Sequence, residues 1–266
     1  MQDLDLALAA ARTGCDVLRR WFRRLDGADW KGDVDPVTEA DREAETAIVD
    51  LLRRHRPDDA VLGEEGGGIE GTSGRRWVID PLDGTVNFLH GIPQCAVSIA
   101  LEDGDGSLVG VVADPFRSEE FAAVRGAGAT LDGEPMRVSA RDEMRRGLFV
   151  TGFPYDRHVR ARTYTDAVAD VIAAAQGVRR MGSAALDLAW VACGRYEGYW
   201  EFHLAHWDIA AGRLLVTEAG GRVTDTRGDA ATKDEIVATN GHLHEELRAI
   251  VARHVPDARA RPGTDA

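Results

Sequence analysis

Residues 77–88 read WVIDPLDGTVNF, and this stretch decides much of the fold and of the chemistry. Its first three residues are apolar and predict a short buried strand. The strand should stop near Asp80, because the proline that follows cannot donate a ladder hydrogen bond. Gly84 permits a tight turn, after which Thr85 precedes or opens a helix with free backbone N–H groups. We therefore expect Asp80 and Asp83 to meet around a turn at the end of a strand.

Two carboxylates held this close together need something to offset their charge. At about 4 Å and an effective dielectric constant of about 20 they repel by roughly 4 kcal/mol, so the pair needs a proton, a basic side chain or a cation. No Lys or Arg occurs between Trp77 and Gly91. The pattern therefore favours a cation, although Asp-Pro and Asp-Gly are also common in ordinary turns.

Two further acidic elements lie far from this stretch in the chain. The sequence GEEG at 63–66 follows the apolar pair Val61-Leu62. The pair Trp207-Asp208 opens a predicted helix that a Gly-Gly pair at 220–221 stops. The chain thus carries acidic groups in three separate segments that folding could bring together.

The three elements, in this order, resemble the inositol monophosphatase family of magnesium-dependent, lithium-sensitive phosphatases. The first signature of the family is similar to residues 77–88, its Gly-Glu-Glu element to residues 63–65, and its second signature to residues 207–221. The similarity extends from about residue 4 to about residue 251. It implies a five-layered αβαβα sandwich of the sugar-phosphatase type, in the α+β or α/β class, and a homodimer.

The resemblance also implies a metal-dependent phosphate monoester hydrolase. Hard oxygen ligands with few nitrogens or thiolates suit Mg²⁺ better than zinc, and Mn²⁺ is an alternative. We expect two or three ions, which would offset the phosphate charge and activate the attacking water. The expected metal ligands are the side chains of Glu64, Asp80, Asp83 and Asp208 and the carbonyl of Leu82.

Other residues are assigned to the water and to the substrate by the same resemblance. Glu64 and Thr85, the latter hydrogen-bonded to Asp41, would orient and deprotonate the attacking water. The backbone N–H groups of Gly84 and Thr85 would hold phosphate, and Glu201 would accept hydrogen bonds from polyol hydroxyl groups. The remaining substrate-side element comprises Gly182, Ser183 and Ala184.

Structural roles are open alternatives for several of these residues. Asp41 also fits a first-turn acid that favours the helix dipole, since TEAD at 38–41 resembles a capping box. Glu201 also fits a surface acid at the end of a strand. Lys31 corresponds to a family lysine on a loop near the metals, but its shorter spacing to Thr38 leaves its role open.

Composition narrows the functional class. The chain has 266 residues, 44% of them hydrophobic, and a formal net charge of −13, which argues against a nucleic-acid-binding domain with a basic face. Arginine pairs such as Arg179-Arg180 are interpreted as solvated surface. Cys15, Cys95 and Cys193 predict buried thiols in a reducing, cytoplasmic compartment. No apolar run approaches the roughly 20 residues that a membrane helix needs.

Periodicity and turn residues predict the remaining elements. Apolar residues at three- and four-residue spacings predict a first helix over 4–25 that ends at Gly27. Residues 29–37 are predicted to form a loop, and the glycine-rich segment 66–74 a mobile loop. Strands are predicted at 95–101, 108–113, 120–124, 196–202, 222–226 and 235–238, and helices at 162–176, 184–193 and 242–254.

The expected domain organisation is simple. Residues 1–255 should form one catalytic domain of two α+β halves, with a boundary near 145–150. The segment 256–266 contains two prolines and little apolar content, so we predict a disordered tail.

The leading functional hypothesis is an inositol-1-phosphate phosphatase that also accepts related polyol and sugar phosphates. Its nearest rival is histidinol-phosphate phosphatase, which DPVTEAD at 35–41 fits, while GSAALD at 182–187 and Trp207-Asp208 depart from that branch. Hydrolysis of fructose 1,6-bisphosphate or of NADP is a further alternative. A different class of protein, a regulatory factor associated with RNA polymerase, also stays open.

Overall fold

The computed structural model of the chain describes residues 1–25, 27–30 and 36–255. The predictions for Lys31 and for the tail at 256–266 therefore concern residues outside the described part. Within that part the α-helices are α1 Asp3–Trp21, α2 Glu39–His55, α3 Thr85–Leu89, α4 Arg157–Ala174, α5 Ala184–Ala192, α6 His206–Glu218 and α7 His244–Val251.

Most strands lie in two sheets of different size. The strands of the larger sheet are β3 Ala60–Gly63, β4 Gly67–Ile69, β5 Arg76–Asp83, β6 Ala96–Asp103, β7 Gly106–Asp114, β8 Glu119–Val124, β9 Gly128–Leu131 and β10 Glu134–Pro135. Those of the smaller sheet are β11 Leu148–Thr151, β12 Gly177–Arg179, β13 Gly198–Phe202, β14 Arg222–Thr224 and β15 Glu235–Thr239. The strands β1 Asp29–Trp30 and β2 Pro36–Val37 pair with each other.

Both sheets are mixed. The larger has the order β10-β9-β8-β7-β6-β5-β3-β4 and is antiparallel except for the parallel pair β3 and β5. The smaller has the order β12-β11-β13-β15-β14, with β11 parallel to both of its neighbours. The parallel pair β3 and β5 carries the GEEG element and the first signature, so their carboxyl ends lie side by side.

Alternating side chains on the strands build three hydrophobic cores. Trp77 and Ile79 face a core shared with α1 and α2, whereas Val78 between them faces the core around α5 and α6. On the smaller sheet Tyr199 faces this same middle core, and Trp200 faces a third core with α4 and α7. Each sheet is therefore buried on both faces. The predicted five-layered αβαβα arrangement is confirmed.

The middle layer contacts both sheets. Helix α6 packs on β6 and β7 of the larger sheet and also contacts β14 and β15 of the smaller one. The last strand of the larger sheet, β10, ends at Pro135, and the first strand of the smaller sheet, β11, begins at Leu148. The division into two halves within one domain stays a prediction.

Several local predictions were wrong. Helix α1 ends at Trp21 rather than at Gly27, because Phe22 leaves the helix and its ring packs on Phe88 and Phe116. The predicted loop at 29–37 contributes the paired strands β1 and β2. The segment 66–74 contains β4, which pairs with β3, so these residues are not simply a mobile loop. In each case tertiary pairing overrode a local preference for loop or helix.

Two compositional predictions concern thiols and membrane helices. All three cysteines are free; Cys15 and Cys95 are buried, and Cys193 is partly buried. Among the described helices, none combines the length and the apolar character required to span a lipid bilayer.

Candidate active site

A β-bulge in β5 brings Asp80 and Asp83 to the same side of the larger sheet. Side chains three apart on a regular strand point to opposite faces. Here Asp80 pairs with Ser98 and Asp83 with Ala96, so β5 carries one extra residue between the two pairs. Pro81 lies inside this bulge, where no ladder donor is required. The two acids therefore meet within the strand, not around a turn after its end as predicted.

Gly84 connects the strand to α3 in a conformation that suits only glycine. Its φ is +97°, in the left-handed region. A Cβ atom at this position would also lie 2.9 Å from the Gln94 carbonyl oxygen and 3.2 Å from the Gly182 carbonyl oxygen. Asn87 holds the same two loops together, because its Nδ2 donates to the carbonyl oxygens of Gln94 and Met181 at 2.8 Å each. The first signature is thus anchored to the segment around Gly182.

One pocket of about 530 Å³ collects nearly all of the predicted site residues. Its walls include every expected metal ligand, namely Glu64, Asp80, Leu82, Asp83 and Asp208. The expected substrate-side residues Gly84, Thr85, Gly182, Ser183, Ala184 and Glu201 line the same pocket. Asp41 does not line it but lies behind Thr85.

The acids in this pocket raise one another's pKa values. Burial raises the pKa of Asp80 well above its ordinary value, and the charges of Glu64, Asp83 and Asp208 raise it further. Burial and the Asp83 charge likewise raise the pKa of Asp208. Negative charge is therefore concentrated at the carboxyl end of β5.

The donor set fits a hard divalent cation, although the oxygens do not yet converge. No group of three or more His, Cys, Asp or Glu side chains within the described ranges is arranged to hold a metal ion as it stands. Each aspartate turns an oxygen towards the protein instead: Asp80 accepts from the Leu82 N–H and Asp208 from the Ala205 N–H. Buried carboxylates and a carbonyl oxygen are nevertheless the ligands that Mg²⁺ and Mn²⁺ prefer.

Asp83 also links the larger sheet to the middle layer. Its carboxylate accepts hydrogen bonds from the Ser183 hydroxyl group and from the Ala184 and Ala185 N–H groups at the start of α5. These donors lower the pKa of Asp83, although burial raises it more. The predicted residues Ser183 and Ala184 thus hold Asp83 in place.

The pairing of Thr85 with Asp41 is present in the structure. The Thr85 hydroxyl lies 3.0 Å from Asp41 Oδ1 and 3.0 Å from the Leu82 carbonyl oxygen. The other carboxylate oxygen of Asp41 accepts from the Thr38 N–H at 2.8 Å and from the Thr38 hydroxyl, which completes a capping box for α2. Burial raises the pKa of Asp41 to about 6. Asp41 therefore caps helix α2 and also accepts a hydrogen bond from Thr85 in the site.

Glu45 supports the segment that carries Glu64, and sequence analysis did not identify it. Its buried carboxylate accepts from the Glu65 N–H at 2.8 Å and from the Gly66 N–H at 2.5 Å. A Cβ atom at Gly63 would lie 2.6 Å from this carboxylate, which explains the glycine. The only sequence sign was an acid four residues after Asp41, one turn beyond the capping box at 38–41.

Glu201 is a buried acid. The alternative interpretation of this residue as a surface acid at the end of a strand is therefore wrong. The relative exposure of Glu201 is 8%, and the Tyr199 hydroxyl donates to its Oε2 at 2.6 Å. A Cβ atom at Gly152 would lie 1.9 Å from its carboxylate, so the glycine makes room for it. Burial raises the pKa of Glu201 to about 7.

Two arginines line the pocket, although no Lys or Arg occurs between Trp77 and Gly91 in the sequence. Arg180 stacks over the Phe153 ring at 5.6 Å, and Arg157 stacks over the Tyr155 ring at 5.6 Å. Arg180 is exposed, as predicted for this arginine pair, and it also lines the pocket. The sequence signal that could have identified Arg180 is its position two residues before Gly182, which begins the predicted substrate-side element.

Comparison with known proteins agrees with the sequence resemblance. A model of the inositol monophosphatase family matches residues 1–256. The chain is 45% identical to the Nus factor SuhB of Pseudomonas aeruginosa, over 97% of this chain and 98% of that protein. It is 46% identical to an inositol-1-monophosphatase of Rhizobium meliloti, over 85% and 86%. The solved suhB structure from Bartonella henselae matches with a TM-score of 0.88 and 42% identity, covering 93% of this chain and 97% of that one.

Proposed function

The chain belongs to the inositol monophosphatase family and is a phosphatase, and from this premise we propose that it hydrolyses inositol monophosphates and related polyol or sugar phosphates. One pocket brings the acids of three chain segments together with Thr85 and Glu201. The proposal rests on this observation. Cations held by the acidic side chains would bind the phosphate group of a polyol phosphate ester. The Glu201 carboxylate beside them would accept hydrogen bonds from the polyol hydroxyl groups.

We propose Mg²⁺ as the metal, with Mn²⁺ as a substitute. Glu64, Asp80, Asp83, Asp208 and the Leu82 carbonyl would hold it, and when bound it supplies charge neutralisation for phosphate and a lower pKa for the attacking water. The mutual elevation of the acids' pKa values supports this proposal, since a cation would relieve the repulsion.

The chain's own residues would position the water and the ester. Thr85 donates towards Asp41 or Leu82, which leaves its oxygen lone pairs free to accept a hydrogen bond from water. Glu64 would take the proton from that water. The N–H groups of Gly84 and Thr85 would bind a phosphate oxygen, and Glu201 would accept hydrogen bonds from the hydroxyl groups of the polyol.

A phosphate-release panel tests the proposal directly. We expect the purified protein to hydrolyse inositol 1-phosphate with Mg²⁺ and to lose this activity in EDTA. The panel should also contain histidinol phosphate, fructose 1,6-bisphosphate and NADP, which represent the alternative substrates. Turnover of histidinol phosphate alone would contradict the proposal.

Lithium should inhibit the reaction. This expectation comes from the family resemblance, and a competition between Li⁺ and Mg²⁺ for the same carboxylates would account for it. Initial rates over a matrix of both ions provide the measurement. Inhibition that does not vary with Mg²⁺ concentration would argue against a shared carboxylate site.

Glu201→Gln should weaken polyol recognition while sparing simple esters. Gln has nearly the same volume as Glu, so it still fits against Gly152, where little space is available. The substitution removes the negative charge that would accept hydrogen bonds from hydroxyl groups. We expect kcat/KM for inositol 1-phosphate, relative to p-nitrophenyl phosphate, to fall roughly 10- to 150-fold, from about 1.5–3 kcal/mol for a charged hydrogen bond.

The pH dependence provides a check on the Glu201 prediction. Since the pKa of Glu201 is raised to about 7, its charged form gains population as pH rises through 7. The wild-type preference for inositol 1-phosphate should therefore grow from pH 6 to pH 8, and the variant should lack this growth. Equal losses on both esters would show that Glu201 supports the fold or the metals instead.

A second candidate function comes from the names of relatives. The match to the Nus factor SuhB of Pseudomonas aeruginosa covers nearly the whole chain, which favours a regulatory role beside catalysis. Co-purification of tagged protein with RNA polymerase would test this role. We also propose a homodimer, which sedimentation velocity would detect.

A further inference from the structure

Helix α2 contacts the segments that follow two neighbouring parallel strands, β3 and β5. Its Asp41 accepts a hydrogen bond from the Thr85 hydroxyl, which follows β5. Its Glu45 accepts from the N–H groups of Glu65 and Gly66, which follow β3. Glu64 and Thr85 are the two residues to which the proposed function assigns the attacking water. One helix therefore holds the segments of both.

Asp41 and Glu45 lie on the same face of α2. They are four residues apart, so their side chains are neighbours one turn from each other along the helix. Both side chains are buried, and Ala44 and Ile48 of the same helix pack in the core that α2 shares with α1 and β5. This packing fixes the helix, so the two carboxylates have little freedom to move apart.

Glu45 encloses the backbone on both sides of Glu64. A Cβ atom at Gly63 would lie 2.6 Å from the Glu45 Cδ, and one at Gly66 would lie 2.6 Å from Glu45 Oε1. The hydrogen bonds to the Glu65 and Gly66 N–H groups act on the side that follows Glu64. The position of the Glu64 backbone, and with it the reach of its carboxylate into the pocket, therefore depends on Glu45.

We propose that Glu45 is a positioning residue for the water-activating Glu64, so that one face of α2 sets the distance between Glu64 and Thr85. The proposal rests on the proposed phosphatase function and adds to it a residue that does not line the active-site pocket. Loss of a group that orients a metal ligand in this way typically lowers metal affinity or activity by about 10- to 100-fold.

Glu45→Gln is the direct test. The side chain keeps its volume, but its one acceptor oxygen cannot serve two N–H groups, and its amide NH₂ group faces the other donor. At saturating Mg²⁺ we expect kcat for inositol 1-phosphate to fall by about 10- to 100-fold and KM to change by less than about 3-fold. Glu43→Gln is the matched control on the same helix, because Glu43 is exposed and bonds Arg20 and Trp21. It should behave as wild type.

A pair of glycine variants tests the same contact without changing Glu45. In Gly66→Ala the added Cβ atom would lie 2.6 Å from Glu45 Oε1 and must displace the carboxylate. In Gly68→Ala, from the same glycine run, the Cβ atom would meet only the Val61 carbonyl oxygen, at 4.0 Å. We expect Gly66→Ala to lower kcat by about 10-fold and Gly68→Ala to leave it unchanged. The Tm of each variant separates a loss of rate from a loss of folding.

A binding measurement covers the case in which no ester is hydrolysed. Glu45→Gln should weaken Mn²⁺ binding by about 10-fold in the wild-type background and by less than about 2-fold in Glu64→Gln, because Glu45 would act through Glu64. Absence of turnover would contradict the proposed function, while this difference between backgrounds would still support the role of Glu45. Equal weakening in both backgrounds, or a lower Tm with unchanged kcat and Mn²⁺ affinity, would overturn that role. Failure of the wild type to bind Mn²⁺ would overturn both proposals.

Discussion

Asp80→Asn should abolish turnover while leaving the fold intact. The substitution keeps the volume of a buried side chain at the bulge but removes a charge from the proposed cation site. We expect kcat to fall by roughly 10³-fold or more, because the charge of the phosphoryl group would no longer be offset. Phosphate release at saturating Mg²⁺ measures the loss. Full turnover would contradict a role for Asp80 in holding the metal.

The same substitution should make the metal-free protein more stable. The pKa of Asp80 is raised in the folded state, so the folded chain retains a proton that the unfolded chain has released above about pH 4. Stability is therefore lost as pH rises above that value, and Asn removes this loss. We expect the Tm advantage of the variant in EDTA to grow between pH 4 and pH 8.

Asp114→Asn provides a matched control for Asp80→Asn. Asp114 is equally buried but does not line the pocket, and its carboxylate accepts from the Phe116 and Arg117 N–H groups. Its loss should lower Tm and leave the rate unchanged. A loss of rate in both variants would indicate a general effect of removing buried charge.

Thr85→Ala should lower kcat by about 10²- to 10³-fold, in the range expected for a group that positions and helps to deprotonate the attacking water. The hydroxyl contacts both Asp41 and Leu82, so its removal breaks the link between α2 and the pocket. Thr85→Ser retains the hydroxyl and should keep most of the rate. The apparent Mg²⁺ affinity should change little, which titration of the rate with Mg²⁺ would show.

The pH profile adds a second readout for Thr85. The Thr85 hydrogen bond lowers the pKa of Asp41, which burial has already raised to about 6. Without that bond the pKa should rise further, so the acidic limb of the kcat profile should move to higher pH. If kcat falls but the acidic limb of its pH profile does not move, Thr85 does not act through Asp41.

Thr38→Ala is the control on the opposite oxygen of the same carboxylate. Thr38 caps α2, and loss of such a cap typically costs about 1 kcal/mol of stability. Above pH 8, where Asp41 is ionised in both proteins, we expect Thr38→Ala to lose stability and Thr85→Ala to lose rate. Full rate in both variants, with stability lost in Thr38→Ala, would assign Asp41 to the helix alone.

The comparison of Asp80 with Arg180 shows what could be predicted. Asp80 and Asp83 lie three residues apart, and a strand, a proline and a glycine were enough to place them near each other. The predicted backbone geometry was wrong, because a bulge within β5, and not a turn after the strand, brings them together. Arg180 was interpreted from its arginine pair alone, although it lies two residues before Gly182 of the predicted substrate-side element.

The sequence by itself determined the order of most helices and strands, the acidic donor set and the resemblance to one family, because these depend on residue type and short-range spacing. Only the tertiary structure decided that Glu45 supports the Glu64 segment, that Glu201 is buried and that Arg180 and Arg157 line the same pocket as the acids. These outcomes depend on contacts between segments that lie far apart in the chain. Such contacts form only when both faces of both sheets are packed, which no local pattern specifies.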